Sequence, residues 1–170
     1  KENGEMEYAF VFAGTDDFKD VKTDINQVLG ISDQIRKTST LAPDVSDYLE
    51  KFELTFVGHS LGGALSNFSS LLTGRTSMTF NPAFLSILTM KNYSSKFSRG
   101  KRKIINFTNV YDPLHHLQTK TRLRLSLIRV GKTVFIPTND FFDGLYNGHF
   151  IGEAIDNLRK NGLDFICQRF

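Results

Sequence analysis

Cysteine is almost absent: Cys167 stands alone in a chain of 170 residues. No internal disulfide can form, and a metal site built on paired thiols is excluded. The lone thiol is expected to fill a small buried apolar space. Nor does any apolar run reach the length needed to cross a bilayer. The first residues, "KENGEMEY", carry charge where an export signal would carry its apolar stretch, so a soluble mature product or excised domain is expected, with its compartment unread. Repeats, low-complexity tracts and linkers are missing, as is any cofactor-binding signature, so no cofactor is expected. Acid is scarce in one region. Residues 91–132 hold eleven Lys and Arg against Asp112 alone, whereas residues 1–60 hold six against twelve Asp and Glu. One part of the surface should therefore be acidic and another basic.

The basic region can attract an anionic membrane, or it can be an ordinary solvated face. In "TRLRLSL", Arg122 and Arg124 alternate with leucines as in a strand with one wet face. No zinc-finger, RNA-recognition or basic-zipper pattern accompanies the charge, which excludes nucleic acid as the expected partner.

A length of 170 residues with 40% apolar content supports one core, so residues 1–170 are read as a single compact domain. Strand-like and helix-like segments alternate, which predicts an α/β fold with a mostly parallel sheet flanked by helices. "EYAFVFAG" (7–14) reads as a buried strand, "FELTFVG" (52–58) as a second, "TSMTFNPA" (76–83) as a third turning at Asn81 and Pro82, and "KIINFTNV" (103–110) as a fourth. "PDVSDYLEKF" predicts a helix with Pro43 in its first turn and Val45, Tyr48, Leu49 and Phe52 inward. Leu61, Ala64, Leu65, Phe68, Leu71 and Leu72 predict a helix stopped by Gly74. "RLSLIRVGKTVFIP" (124–137) resembles a hairpin turning near Gly131, and residues 149–162 a closing helix with Ile151, Ala154, Ile155 and Leu158 inward. Five or six strands are expected in all.

Ser60 falls at the junction between the second strand and its helix. "GHSLG" is short enough to arise by chance, so its context decides. An activated serine needs a tight turn that holds its hydroxyl out, with very small neighbours, and Gly58 and Gly62 supply them. The helix that follows aims free N–H groups at the turn, so the Leu61 backbone N–H is a candidate oxyanion donor. A serine hydroxyl also needs a base, usually a histidine oriented by a carboxylate. His59, His115, His116 and His149 compete for this role. His59 should point elsewhere from within the turn, and the adjacent His115 and His116 cannot both face one site. His149 follows a glycine loop at a helix start and is the preferred base. Asp112 lies just past a predicted strand end, where parallel sheets assemble their sites, while Asp140 and Asp143 are alternatives nearer His149 in sequence.

These residues resemble the class 3 lipase family of the α/β-hydrolase fold. "FVGHSLGGALSNF" is similar to its nucleophile elbow and "FVFAGTDDFKDVKTDI" to the strand end and acidic lid-like segment. "INFTNVYDPLHHL" is similar to the segment around its aspartate and "NGHF" to that around its histidine. "TFNPA" resembles bacterial members, some of them lipase-type effectors. The likeness runs from about Glu7 to His149 and implies Ser60 as nucleophile, Asp112 as orienting acid, His149 as base, and Thr15 with Leu61 as the oxyanion hole. Ala13 stands where the family commonly has arginine, and the family's N-terminal helical region has no counterpart, as in a compact or trimmed version. The resemblance implies a cofactor-free serine hydrolase of lipid acyl esters, a lipase or phospholipase. Phe18, Val21 and Ile25 recur at helical spacing and suit either an amphipathic lid or an ordinary surface helix. The rival expectation is a catalytically silent lipid- or partner-binding module on the same scaffold.

Overall fold

The computed structural model describes residues 6–14, 31–98, 103–120, 127–137 and 151–160. Thr15, the lid-like Phe18, Val21 and Ile25, Arg122, Arg124, Asp140, Asp143, His149 and Cys167 lie outside the described residues.

Five parallel strands form the main sheet in the order β1 (Glu7–Phe12), β2 (Glu53–His59), β3 (Thr76–Phe80), β5 (Ile104–Asn109) and β7 (Lys132–Ile136). Helices α1 (Ile31–Tyr48), α2 (Leu61–Thr73), α3 (Ile87–Tyr93), α4 (Pro113–Lys120) and α5 (Ile151–Lys160) connect or flank them. The two-residue strands β4 (Leu85–Ser86) and β6 (Leu127–Ile128) pair antiparallel beside the main sheet. The described residues thus hold seven strands rather than five or six, the surplus being this short pair.

Side-chain alternation sorts the sheet into two faces. Leu54 and Phe56 of β2 are buried with Ala42 of α1, backed by Tyr8, Phe10 and Phe12 of β1. On the same face, Phe68, Leu65, Leu71 and Leu72 of α2 pack with Ile35 of α1, Leu85, Ile104 and Leu114. The reverse face buries Ile105, Phe107, Val134 and Ile136 against Met78 and Phe80. Phe80 and Phe107 stack there at 5.5 Å.

Helix α2 is buried from Gly62 through Leu72, so its polar residues must be satisfied inside the protein. Ser66 and Ser69 donate to the carbonyls one turn back, at 2.9 and 2.8 Å. Asn67 Nδ2 donates to Asn106 Oδ1 at 2.9 Å, and Asn67 Oδ1 accepts from Ser77 Oγ at 2.9 Å. Thr79 Oγ1 donates to Asn106 Oδ1 at 2.7 Å, while Asn106 Nδ2 reaches the Val130 carbonyl at 2.7 Å. This network fixes the height of α2 over β3 and β5. Gly74, at φ 78°, stops the helix in the left-handed conformation its sequence predicts.

Four expectations need correction. Helix α1 begins at Ile31, and Pro43 lies inside it rather than in its first turn. Its buried residues are Ile35, Thr38, Ala42 and Ser46; Val45 and Leu49 pack half-buried on the core as expected, while Tyr48 and Phe52 are exposed. Strand β1 is not buried: its side chains alternate between exposed and half-buried, with Val11 outward, as suits its place at the edge of the described sheet. Residues 127–136 do not form a hairpin, because Gly131 at φ 80° sends β6 to pair with β4 and β7 to pair in parallel with β5. In α5, Ile151 and Ile155 are exposed rather than inward.

Candidate active site

The carboxyl ends of β2, β3 and β5 converge on one edge of the sheet. Ser60 follows β2 at φ 54° and ψ −121°, outside the regions an L-residue prefers. The turn is as tight as the glycines require: a Cβ on Gly58 would stand 2.3 Å from the backbone of Gly62. A Cβ on Gly62 would stand 2.3 Å from the Phe12 carbonyl oxygen, where β1 ends. The elbow is locked from both sides. Ser60 N donates to the Phe80 carbonyl at 3.2 Å, and the Ser60 carbonyl accepts from Ala64 N at 3.2 Å and Ala83 N at 2.9 Å.

Although Ser60 occupies the N-cap of α2, its side chain makes no capping bond. Serine at this position ordinarily spends its oxygen on the helix N–H groups. The Leu61 N–H, at the first helical position, is one of the donors a helix leaves without an intrahelical acceptor. The hydroxyl and the donor are thus neighbours at the positive end of the α2 dipole.

Asp112 is fully buried beyond the end of β5. Its Oδ2 accepts from His115 N at 3.0 Å and its Oδ1 from Leu114 N at 3.4 Å, so the carboxylate caps α4, with Pro113 suited to the first helical turn. The turn reading of "DP" is thus observed, and Asp112 stands just beyond the end of β5, where its place in the sequence puts it. Asn81 ties the two strand ends together, a role that sequence reasoning did not assign beyond a turn. It is fully buried at φ 42°, its N–H donates to the Phe107 carbonyl at 2.7 Å, and its Oδ1 accepts from Asn109 N at 2.9 Å. Asp112 N in turn donates to the Asn109 carbonyl at 3.0 Å. Short bonds thus link the segment behind Ser60 to the segment behind Asp112. The two strands involved, β2 and β5, lie two sheet positions apart, about 10 Å. Asparagine tolerates positive φ, and an Asn-Pro pair just past a strand was the available signal.

His115 and His116 have other surroundings. The His115 ring is buried edge-on to Phe84 and Phe135, at 5.8 and 5.4 Å. Burial lowers its proton affinity, the Asp112 carboxylate opposes that, and the Arg129 and His116 charges lower it further. His116 Nε2 lies 3.0 Å from the Val110 carbonyl, which only accepts, so this nitrogen carries the proton. Of the predicted site residues, the described structure brings Ser60, Leu61 and Asp112 to one sheet edge, while Thr15 and His149 fall outside the description. The Ala13–Gly14 exit of β1, which leads to Thr15, abuts the elbow: the Ala13 carbonyl oxygen is 2.9 Å from where a Gly62 Cβ would stand. A separate cavity of about 390 Å³, lined by Met6, Glu50, Lys51, Phe52, Glu53 and Arg75, lies at the opposite edge, by the amino ends of β2 and β3.

The family model of a Tle-like phospholipase domain matches residues 1–145. Among characterised proteins, the chain is 28% identical over 167 residues to an extracellular phospholipase A1 of Serratia liquefaciens. The match covers 95% of this chain and 52% of that protein, so the chain spans about half the length of the relative. Among solved structures, an MDLA mutant form from Penicillium cyclopium aligns with a TM-score of 0.38 at 19% identity, covering 65% of this chain and 39% of that one.

Proposed function

The chain belongs to the Tle-like phospholipase domain family, and from that premise we propose that it hydrolyses acyl esters of phospholipids through Ser60, His149 and Asp112. The observation that carries this reading is the Ser60 elbow: a strained serine, wedged between glycines that tolerate no Cβ, whose hydroxyl is not used as a cap. A phospholipid ester is the preferred substrate because the Serratia relative is a phospholipase A1 by name.

In this mechanism His149 takes the hydroxyl proton as Ser60 Oγ attacks the ester carbonyl carbon. The Leu61 N–H and Thr15 hold the oxyanion. Collapse breaks the ester bond, and the leaving alcohol departs with the proton from His149. Water then gives a proton to His149 as it attacks the acyl-enzyme carbonyl, and collapse releases the fatty acid while His149 returns that proton to Ser60 Oγ. Asp112 keeps the imidazole in the productive tautomer.

Hydrolysis of phosphatidylcholine and of water-soluble aryl esters tests the assignment. Ser60→Ala and His149→Ala should each cost about 10⁶-fold in kcat, and Asp112→Asn about 10⁴-fold. Full activity in either of the first two variants would discard the scheme. Absence of turnover in the wild type, with phospholipid still bound, would favour a silent binding module.

A further inference from the structure

The segment that leaves the elbow carries apolar side chains outward. After Ala83, which is bonded to the Ser60 carbonyl, the chain enters β4 and then α3. Helix α3 is anchored from within, with Met90, Tyr93 and the following Phe97 packed on the core. Tyr93 and Phe97 stand edge-on to Phe68 of α2, at 5.1 and 6.3 Å. Ser98 N donates to the Leu71 carbonyl at 2.9 Å, so α3 begins at the elbow end of the sheet and descends beside α2.

This anchoring turns Ile87 and Leu88 to water at 45% and 66% exposure, at the end nearest Ser60. Lys91 follows one turn later on the same outward face and is exposed. The β4–β6 pairing sets Ile128 opposite Leu85; Ile128 is 40% exposed and Arg129 beside it is exposed. No Asp or Glu occurs between residues 81 and 137 except Asp112, which is buried. Apolar tips beside cations, with no exposed acid in this stretch of sequence, complement an anionic interface.

We propose that the outer face of α3 with β6, made by Ile87, Leu88, Ile128, Lys91 and Arg129, is where the protein docks on an anionic phospholipid bilayer. This rests on the reading of the protein as a phospholipid hydrolase. The apolar tips enter the interface, the cations meet lipid phosphates, and the Ser60 edge is brought to the lipid surface.

Vesicle co-sedimentation tests it, using phosphatidylcholine alone and phosphatidylcholine mixed with phosphatidylglycerol. Ile87→Ser with Leu88→Ser should weaken binding to both vesicles by about tenfold. Lys91→Glu with Arg129→Glu should weaken binding to the mixed vesicles alone, by about tenfold or more. The serine pair should unfold at the wild-type temperature and hydrolyse water-soluble aryl esters at the wild-type rate. Wild-type vesicle binding in both double variants would overturn the proposal. So would a wild-type dimer in solution that the serine pair abolishes, which would make the face a contact between copies. Lost aryl-ester hydrolysis in the wild-type protein, with the vesicle pattern intact, would instead remove the enzymatic reading and leave the docking surface standing.

Discussion

A serine held at φ 54° and ψ −121° costs the fold about 1–3 kcal/mol that an ordinary turn would keep. Ser60→Gly relieves that strain while removing the hydroxyl, so it should raise stability by about 1 kcal/mol in urea titration and abolish ester hydrolysis. Gly58→Ala should do the reverse damage, because its Cβ would sit 2.3 Å from backbone that has no room to move. A clear loss of folded protein is expected there, whereas Gly152→Ala, with nothing within 4 Å, should be neutral or slightly stabilising. His115 supplies a pH signature. Its folded proton affinity is lowered from the ordinary 6.5, chiefly by burial. Between that depressed value and 6.5 the unfolded chain binds a proton that the folded chain does not. Stability should therefore be full above about pH 6.5 and fall as pH drops through that window, and His115→Phe should flatten the fall.

At the scale of elements, Arg75 shows how a helix end is tied to the sheet. It stands just before β3 and grips the end of α1. Its guanidinium donates to Ser46 Oγ and to the carbonyls of Ser46, Leu49, Glu50 and Phe52, at 3.0–3.3 Å. A planar cation satisfies several orphan carbonyls at once, which a lysine cannot do. Arg75→Lys should cost about 1–3 kcal/mol of unfolding free energy with little effect on the rate of ester cleavage.

The same helix shows where the sequence was hard to read. Elements with large apolar residues at strict spacing were legible: β2, α2, β3 and β5 fall within a few residues of their predicted bounds, and Gly74 stops α2 as expected. Helix α1 was half missed because three of its four buried residues are Thr38, Ala42 and Ser46, small side chains that suit close packing but give little hydrophobic signal. Pro43 then looked like a start, and tertiary packing outweighs the N–H it removes. The false hairpin has a similar cause. Local spacing around Gly131 matched a turn, but pairing partners far away in sequence decided which strand went where. The placement of Ser60, Leu61 and Asp112 just past the ends of β2 and β5 was legible because tight turns and strand ends have local residue signatures. The buried carboxamide network of Asn67 and Asn106 was not, since each partner is 39 positions from the other.

At the scale of the molecule, a parallel sheet gathers strand ends from distant parts of the sequence at one edge, and that edge carries the elbow, its N–H donor and a buried acid. Asn81 and its bonds hold the ends of β3 and β5 level at that edge. Among the described residues no helix is long and apolar enough to cross a membrane. The most direct test of the central claim is mass-spectrometric mapping of the protein after reaction with a fluorophosphonate. A single adduct on Ser60, absent in Ser60→Ala and formed far more slowly in His149→Ala, is the predicted result. Modification of another residue, or none in a protein that cleaves esters, would contradict it.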